Sequence, residues 1–335
     1  MARIKAVQIG VAHDHAFAAL GTLLTRTDIF DFVGYVVVEG EEKIYEQKKD
    51  LYKNANRISL EEAFAIEGLQ AAFIETDDCN LTKYAFMAAK HGLAVQMDKP
   101  GGQEDVEFDA LIDYCQANNA VLHLGYMYRY NPAIQYVLQG IKNGEYGEVY
   151  YTEAQMNCFL PKEKREWLKG YKGGMMNFLG CHLVDLLLQI QGEPKNVIPY
   201  NASSKKDGID SEDSAFAIFE YEKGNSFIKS TAVECGGFMR RQLVICCEKA
   251  TIELNPIEAF ASGRVMTTDM YITPAENSSA WAYRGEKKTF EPFERYENMY
   301  LEFADIVLGK MENPYSYDYE RMVHKVLLKA CGVEI

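Results

Sequence analysis

The chain has 335 residues, 48% of them hydrophobic, which is more than a single core needs at roughly 100–200 residues per domain. Its 49 acidic residues against 35 Lys and Arg give a formal net charge of -14, and with no dense basic run such a surface repels nucleic acid. The richest apolar segment, Leu183 to Ile190, falls far short of the about 18 residues of a membrane span. Gln8 and His13-Asp14-His15 break the apolar start before signal-peptide length, so a cytoplasmic protein without membrane or nucleic-acid partners is expected.

The first part alternates strand and helix patterns, as a parallel sheet requires. Ile4 to Ile9 is an apolar strand ending at Gly10, Ala16 to Leu24 a helix, and Phe32 to Val38 a second strand ending at Glu39. Ser59 with Glu62 forms a capping box ahead of a helix. Gln70 to Glu75 is a third strand, Leu81 to His91 a helix, and Leu93 to Met97 a fourth strand running into Asp98-Lys99-Pro100. A helix over Val106 to Ala117 and a short strand over Ala120 to Leu124 complete this part.

The rhythm changes at Tyr126. A helix from Pro132 to Asn143 leads to an alternating strand, Val149 to Asn157, and a further helix centres on Leu183 to Ile190. Ala215 to Tyr221, Ser226 to Val233, Gln242 to Cys246 and Ala250 to Leu254 have the period of two that marks hairpin-linked antiparallel strands. Helices close the chain at Tyr296 to Leu308 and Tyr319 to Cys331. Eight cysteines, none in a C-x-x-C pair, argue against a disulfide scaffold and a zinc site.

Gly10-x-Ala12-x-x-His15 keeps one glycine of the three that a dinucleotide turn uses. It fits a worn nucleotide turn or an ordinary strand-to-helix turn. Glu39, at the end of the second strand, suits the ribose hydroxyls and disfavours a 2′-phosphate, hence NAD over NADP; the alternative is a solvated acid beside Glu41 and Glu42. His13 and His15 suit the pyrophosphate or substrate, or else cap and pack the helix, and the spacing supplies no third metal ligand.

In order, Asp98-Lys99-Pro100, Tyr128-Arg129-Tyr130-Asn131-Pro132, Gly173-Gly174, Gly180-Cys181-His182-Leu183-Val184-Asp185 and Glu212-Asp213 resemble the motifs of the glucose-fructose oxidoreductase / inositol 2-dehydrogenase (Gfo/Idh/MocA) family, over nearly the whole chain. The resemblance implies an α/β protein: a Rossmann domain over 1–124, and over 125–335 an α/β domain with a mostly antiparallel open sheet that assembles homodimers or homotetramers. It implies NAD-dependent chemistry on a secondary alcohol of a sugar, inositol or polyol, with Lys99 and His182 as acid-base pair. A lysine at the C-terminal end of a parallel strand points into the crevice where such sheets bind ligands, and a histidine titrates near neutrality. Arg129, Asn131, Trp167, Lys172 and Asp185 are then expected around the substrate, and Gly10, Ala12, His13, His15, Glu39, Thr76 and Lys99 around the cofactor.

Two departures stand out. Phe178 occupies the place, four residues before His182, where the family's dehydrogenases carry Asp, and Thr76-Asp77-Asp78 replaces a threonine-proline. The first keeps two alternatives open: redox-neutral elimination or glycoside cleavage on tightly bound NAD, and a nicotinamide- or sugar-binding regulator without catalysis.

Overall fold

The structure, a computed structural model, describes residues 3–277, 279 and 284–335. Met1 and Ala2, at the head of the expected first domain, lie outside the described residues. The chain forms two compact units, Met1–Tyr126 with Tyr296–His324, and Met127–Arg295 with Lys325–Ile335.

The first unit is built on β1 (Ile4–Ile9), α1 (Ala16–Thr25), β2 (Phe30–Val36), α2 (Glu42–Lys48), α3 (Leu60–Phe64), β3 (Ala71–Ile74), α4 (Leu81–Lys90), β4 (Ala94–Met97), α5 (Asp105–Asn118) and β5 (Leu122–Leu124). The five strands pair in parallel in the order β2-β1-β3-β4-β5. All four residues of β3 are 0% exposed, because crossover helices cover both faces of such a sheet and select continuous apolar strands over alternating ones. The order reverses between β1 and β3, and the crevice beyond their C-terminal ends is where a sheet of this order binds ligands. Ser59 caps α3 as expected: its hydroxyl accepts from Glu62 N–H (3.1 Å), and its own N–H donates to Glu62 Oε2 (2.7 Å). Residues 296–324 return to this unit, unlike the expected single C-terminal domain over 125–335. The cause is aromatic packing, since Tyr300 and Phe303 of the helix Glu297–Val307 are buried against Phe73 of β3 at ring distances of 5.5 and 5.4 Å.

In the second unit, α6 (Pro132–Lys142), β6 (Val149–Gln155), α7 (Lys162–Trp167), a π-turn over Met176–Gly180 and α8 (Cys181–Gln191) precede a run of strands. These are β7 (Asn196–Pro199), β8 (Ser214–Glu220), β9 (Asn225–Thr231), β10 (Gln242–Cys247), β11 (Ala250–Leu254), β12 (Ala259–Ser262), β13 (Val265–Thr267), β14 (Met270–Pro274), β15 (Glu286–Lys288) and β16 (Phe293–Glu294). Eight of them form one sheet in the order β15-β14-β11-β10-β6-β9-β8-β7. Every pairing in it is antiparallel except β6 with β9. Along β8, β10 and β11 buried residues alternate with half-buried ones, the signature of a sheet packed on one face. The helices Glu297–Val307 and Tyr317–Ala330 are α9 and α10.

Candidate functional site

In the first unit the predicted cofactor residues gather at the switch point. Gly10 has φ +95°, and a Cβ on it would lie 2.5 Å from the Thr76 backbone nitrogen, so only glycine lets the turn pass this close to β3. Thr76, fully buried, is the floor of this turn, its hydroxyl donating to Asp77 O (3.2 Å). Above it sits a residue the sequence left among solvated acids. Glu41, 2% exposed, accepts hydrogen bonds from Val11 N–H (2.7 Å) and Asp77 N–H (3.1 Å). Two backbone N–H groups at the switch point therefore already hold the chain's own carboxyl group. Lys48 of α2 reaches the Ala12 carbonyl at 3.5 Å. Glu39 is exposed and lines a cleft of about 580 Å³ with Val36, Val38, Arg57 and Tyr84.

Burial pushes the Glu41 carboxyl up to about 7, outweighing the turn amides that pull it down. An acid raised in the folded state adds stability in full below its ordinary value of 4.5, and loses it as pH rises from there to about 7. Thermal melts of Glu41→Gln and the parent are expected to diverge across that window, in favour of the variant, and to stay parallel above it. A pH-independent difference would contradict this assignment.

Beside this turn lies a cluster of titratable groups. Asp98 Oδ2 is 3.1 Å from both His13 Nδ1 and His15 Nδ1, and all three residues are buried. His13 Nε2 lies 3.1 Å from Lys99 O, and Lys99 N–H donates to Asp98 Oδ1 (2.7 Å). Glu75, fully buried, stands 3.7 Å from His13. Burial lowers His13, but Asp98 overrides it and holds the imidazole above its ordinary value. For His15 burial prevails and the value falls to about 4. Burial and the negative charge of Asp98 hold Glu75 well above the carboxylate range. Asp98 itself, despite burial, is held well below it by the two histidines. Lys99, two residues beyond β4, is 1% exposed, its charge felt by His13, His15 and Glu75. The third partner of the histidines, absent from the local spacing, is thus supplied by a strand 83 residues on.

The second unit holds His182 and the expected substrate residues. His182, 1% exposed in α8, packs edge-on against Tyr128 (4.9 Å). The Tyr128 hydroxyl donates to Glu258 and accepts from Arg241 (3.1 Å) and Arg295 (3.2 Å). Burial, then the Glu258 charge, push this phenol up to about 12, so it remains a neutral donor at physiological pH.

Three expected substrate contacts have other work. Asn131 caps α6, its oxygen accepting from Ala133 and Ile134 N–H (2.9 and 3.3 Å) and its amide donating to Ile257 O and Thr268 Oγ1 (3.1 and 3.0 Å). Its capacity of two accepted and two donated bonds is used within the protein. Arg129, 0% exposed, donates to Asp185 through Nε (3.0 Å to each oxygen) and Nη2 (2.7 Å), and Gln189 also donates to that carboxylate (2.9 Å). Their charges are directed at each other. Trp167 is half-buried with Tyr171 at 4.4 Å and Lys164 Nζ 3.5 Å from its ring centre, and Lys172 is exposed beside Glu212 (3.7 Å).

The π-turn alters the meaning of Phe178. Four residues before a histidine means the same face only in a regular α-helix; a π-turn repeats nearer five. Asn177, five before His182 and 1% exposed, takes the aligned position, with neither side-chain amide atom hydrogen-bonded. Phe178 turns instead to Trp167, 5.4 Å between rings.

Residues 134–253 match the model of the GFO/IDH/MocA C-terminal domain. No curated protein matches the sequence. Among solved structures the chain is similar to an aldose-aldose oxidoreductase from Caulobacter crescentus, with a TM-score of 0.77, 15% identity, and coverage of 99% of this chain and 98% of that one. A UDP-N-acetylglucosamine 3-dehydrogenase from Acidithiobacillus ferrooxidans gives a TM-score of 0.75, 19% identity, and coverage of 98% and 97%. A Desulfitobacterium hafniense protein named as an NADPH-dependent oxidoreductase gives 0.81, 15% identity, and coverage of 99% and 95%. The likeness extends over the whole of each fold, in keeping with the motif order. Residues 134–253 thus resemble the GFO/IDH/MocA C-terminal domain and are preceded in sequence by a five-stranded parallel sheet, and the family resemblance of the motifs is borne out.

Proposed function

We propose that the protein is an NAD-dependent oxidoreductase acting on a secondary alcohol of a sugar, inositol or related polyol. The observation that supports this reading is the turn at Gly10, where backbone N–H groups at the switch point already hold a carboxyl group and are of the kind that bind a pyrophosphate. The residues present fit the dinucleotide: Gly10 removes the Cβ that would keep the backbone away, Lys48 adds positive charge, and Glu39 stands at the cleft for ribose hydroxyls. When bound, the nicotinamide supplies the hydride acceptor. Lys99 and His182 are the groups proposed to take and return the hydroxyl proton. The similar proteins named as acting on aldoses or on a nucleotide sugar support a sugar-like substrate. The half-buried face of β8 and its neighbours supports assembly into a homodimer or homotetramer through the sheet.

Glu41 must release the turn amides before a nucleotide takes them. Glu41→Gln removes the competing charge, and NADH is expected to bind it about 10-fold tighter or more than the parent, the equivalent of one charge-assisted hydrogen bond at about 1.5–3 kcal/mol. Weaker binding would assign Glu41 to the cofactor instead. The activity is tested by incubating the protein with NAD and a panel of aldoses, inositols and nucleotide sugars while following NADH absorbance. Net NADH formation with at least one polyol is expected. Substrate conversion without net NADH would replace this reading with redox-neutral chemistry on bound NAD.

A further inference from the structure

We infer that His13, His15 and Asp98 form a binding site for a divalent transition-metal ion of the zinc type, at the C-terminal ends of β1 and β4. One ligand atom from each of the three lies within 4.8 Å of the others. The two edges measured from Asp98 Oδ2, to His13 Nδ1 and to His15 Nδ1, are both 3.1 Å. A tetrahedral ion with bonds of about 2.0–2.1 Å needs ligand edges of about 3.3–3.4 Å, so small adjustments admit the ion.

The hydrogen bonds around the cluster point the same way. His13 Nε2 is directed at Lys99 O (3.1 Å), and His13 Nδ1 accepts from His15 N–H (3.1 Å). His13 Nδ1 and His15 Nδ1 both face Asp98 Oδ2 at 3.1 Å, so a nitrogen from each ring and one carboxylate oxygen converge on one point. The Lys99 peptide serves as the outer shell, its carbonyl fixing the His13 ring and its N–H fixing the far oxygen of Asp98. Glu75 adds a second observation. Its buried carboxyl brings a further oxygen, Oε2, to 3.7 Å from His13 Nδ1. The His15 side chain, 11% exposed, is the edge of the cluster that reaches solvent. Three protein ligands leave a fourth position for water or a hydroxyl, the stoichiometry of a Lewis-acid site.

The test uses the full chain, stripped with a chelator and free of nucleotide and polyol, so its failure would leave the dehydrogenase reading standing. Cobalt(II) is titrated in while visible absorption is followed, and zinc(II) is then added in competition. One cobalt per chain with four-coordinate bands, displaced by one zinc, is expected. His15→Ala should lose at least the roughly 10–100-fold in affinity that even an outer-shell ligand contributes, while His91→Ala, on the exposed end of α4, should bind as the parent does. Circular dichroism confirms that each variant is folded. Absence of a stoichiometric cobalt spectrum in the parent, or His15→Ala binding as tightly as the parent, would overturn the site and leave a proton as the shared cation.

Discussion

Arg129→Met is expected to destabilise the second unit by about 3–5 kcal/mol, the usual cost of removing one partner from a buried ion pair. Arg129 and Asp185 are 0% and 1% exposed, and three hydrogen bonds of 2.7–3.0 Å join them. Without the guanidinium, Asp185 keeps Gln189 but becomes a buried charge without a counterion from α6's approach segment. Arg129→Met combined with Asp185→Leu should regain most of the loss, because the penalty belongs to the stranded carboxylate and not to the missing attraction. Urea denaturation followed by circular dichroism measures both. If the single variant unfolds as the parent does and changes only the KM for a polyol, Arg129 is a substrate ligand instead.

Lys99→Met is expected to lower turnover by roughly 10²–10⁴, the range attributed to a positioned acid or base, while leaving NADH affinity within a few-fold. Methionine preserves the stem of a side chain that is 1% exposed, so packing is largely retained. The charge is lost beside Asp98 and Glu75, and the proton-transfer group goes with it. Activity near that of the parent would remove Lys99 from the chemistry and place its ammonium in the cluster as a counter-charge alone.

Legibility in the sequence follows the range of the interaction. Strand β1 and the capping box at Ser59 were legible because a continuous apolar run and a Ser-x-x-Glu spacing are local signals. α2 lacked any apolar stripe, and β12 to β16 are two to five residues long, too short for a period to declare itself. Glu41 was hidden for a different reason. In Glu39-Gly40-Glu41-Glu42 nothing local distinguishes the acid that folds back onto the turn from those that stay in solvent, and its partners Val11 and Asp77 lie 30 and 36 residues away. Asp98 was visible as part of a motif but not as the partner of His13 and His15, since only the parallel order β1-β3-β4 brings the end of β4, one strand away, to the turn after β1. Phe178 stands in a π-turn, whose extra residue carries no sequence signature here.

The central claim is that the Gly10 turn still receives a dinucleotide. Fluorescence titration of the nucleotide-free protein with NADH, and separately with NADPH, tests it most directly, run in parallel on Glu41→Gln. Saturable NADH binding, weaker NADPH binding through Glu39, and tighter NADH binding in the variant are the predicted result. Failure of both nucleotides to bind either protein would contradict the account, and would make the Glu41 carboxylate the turn's resident anion.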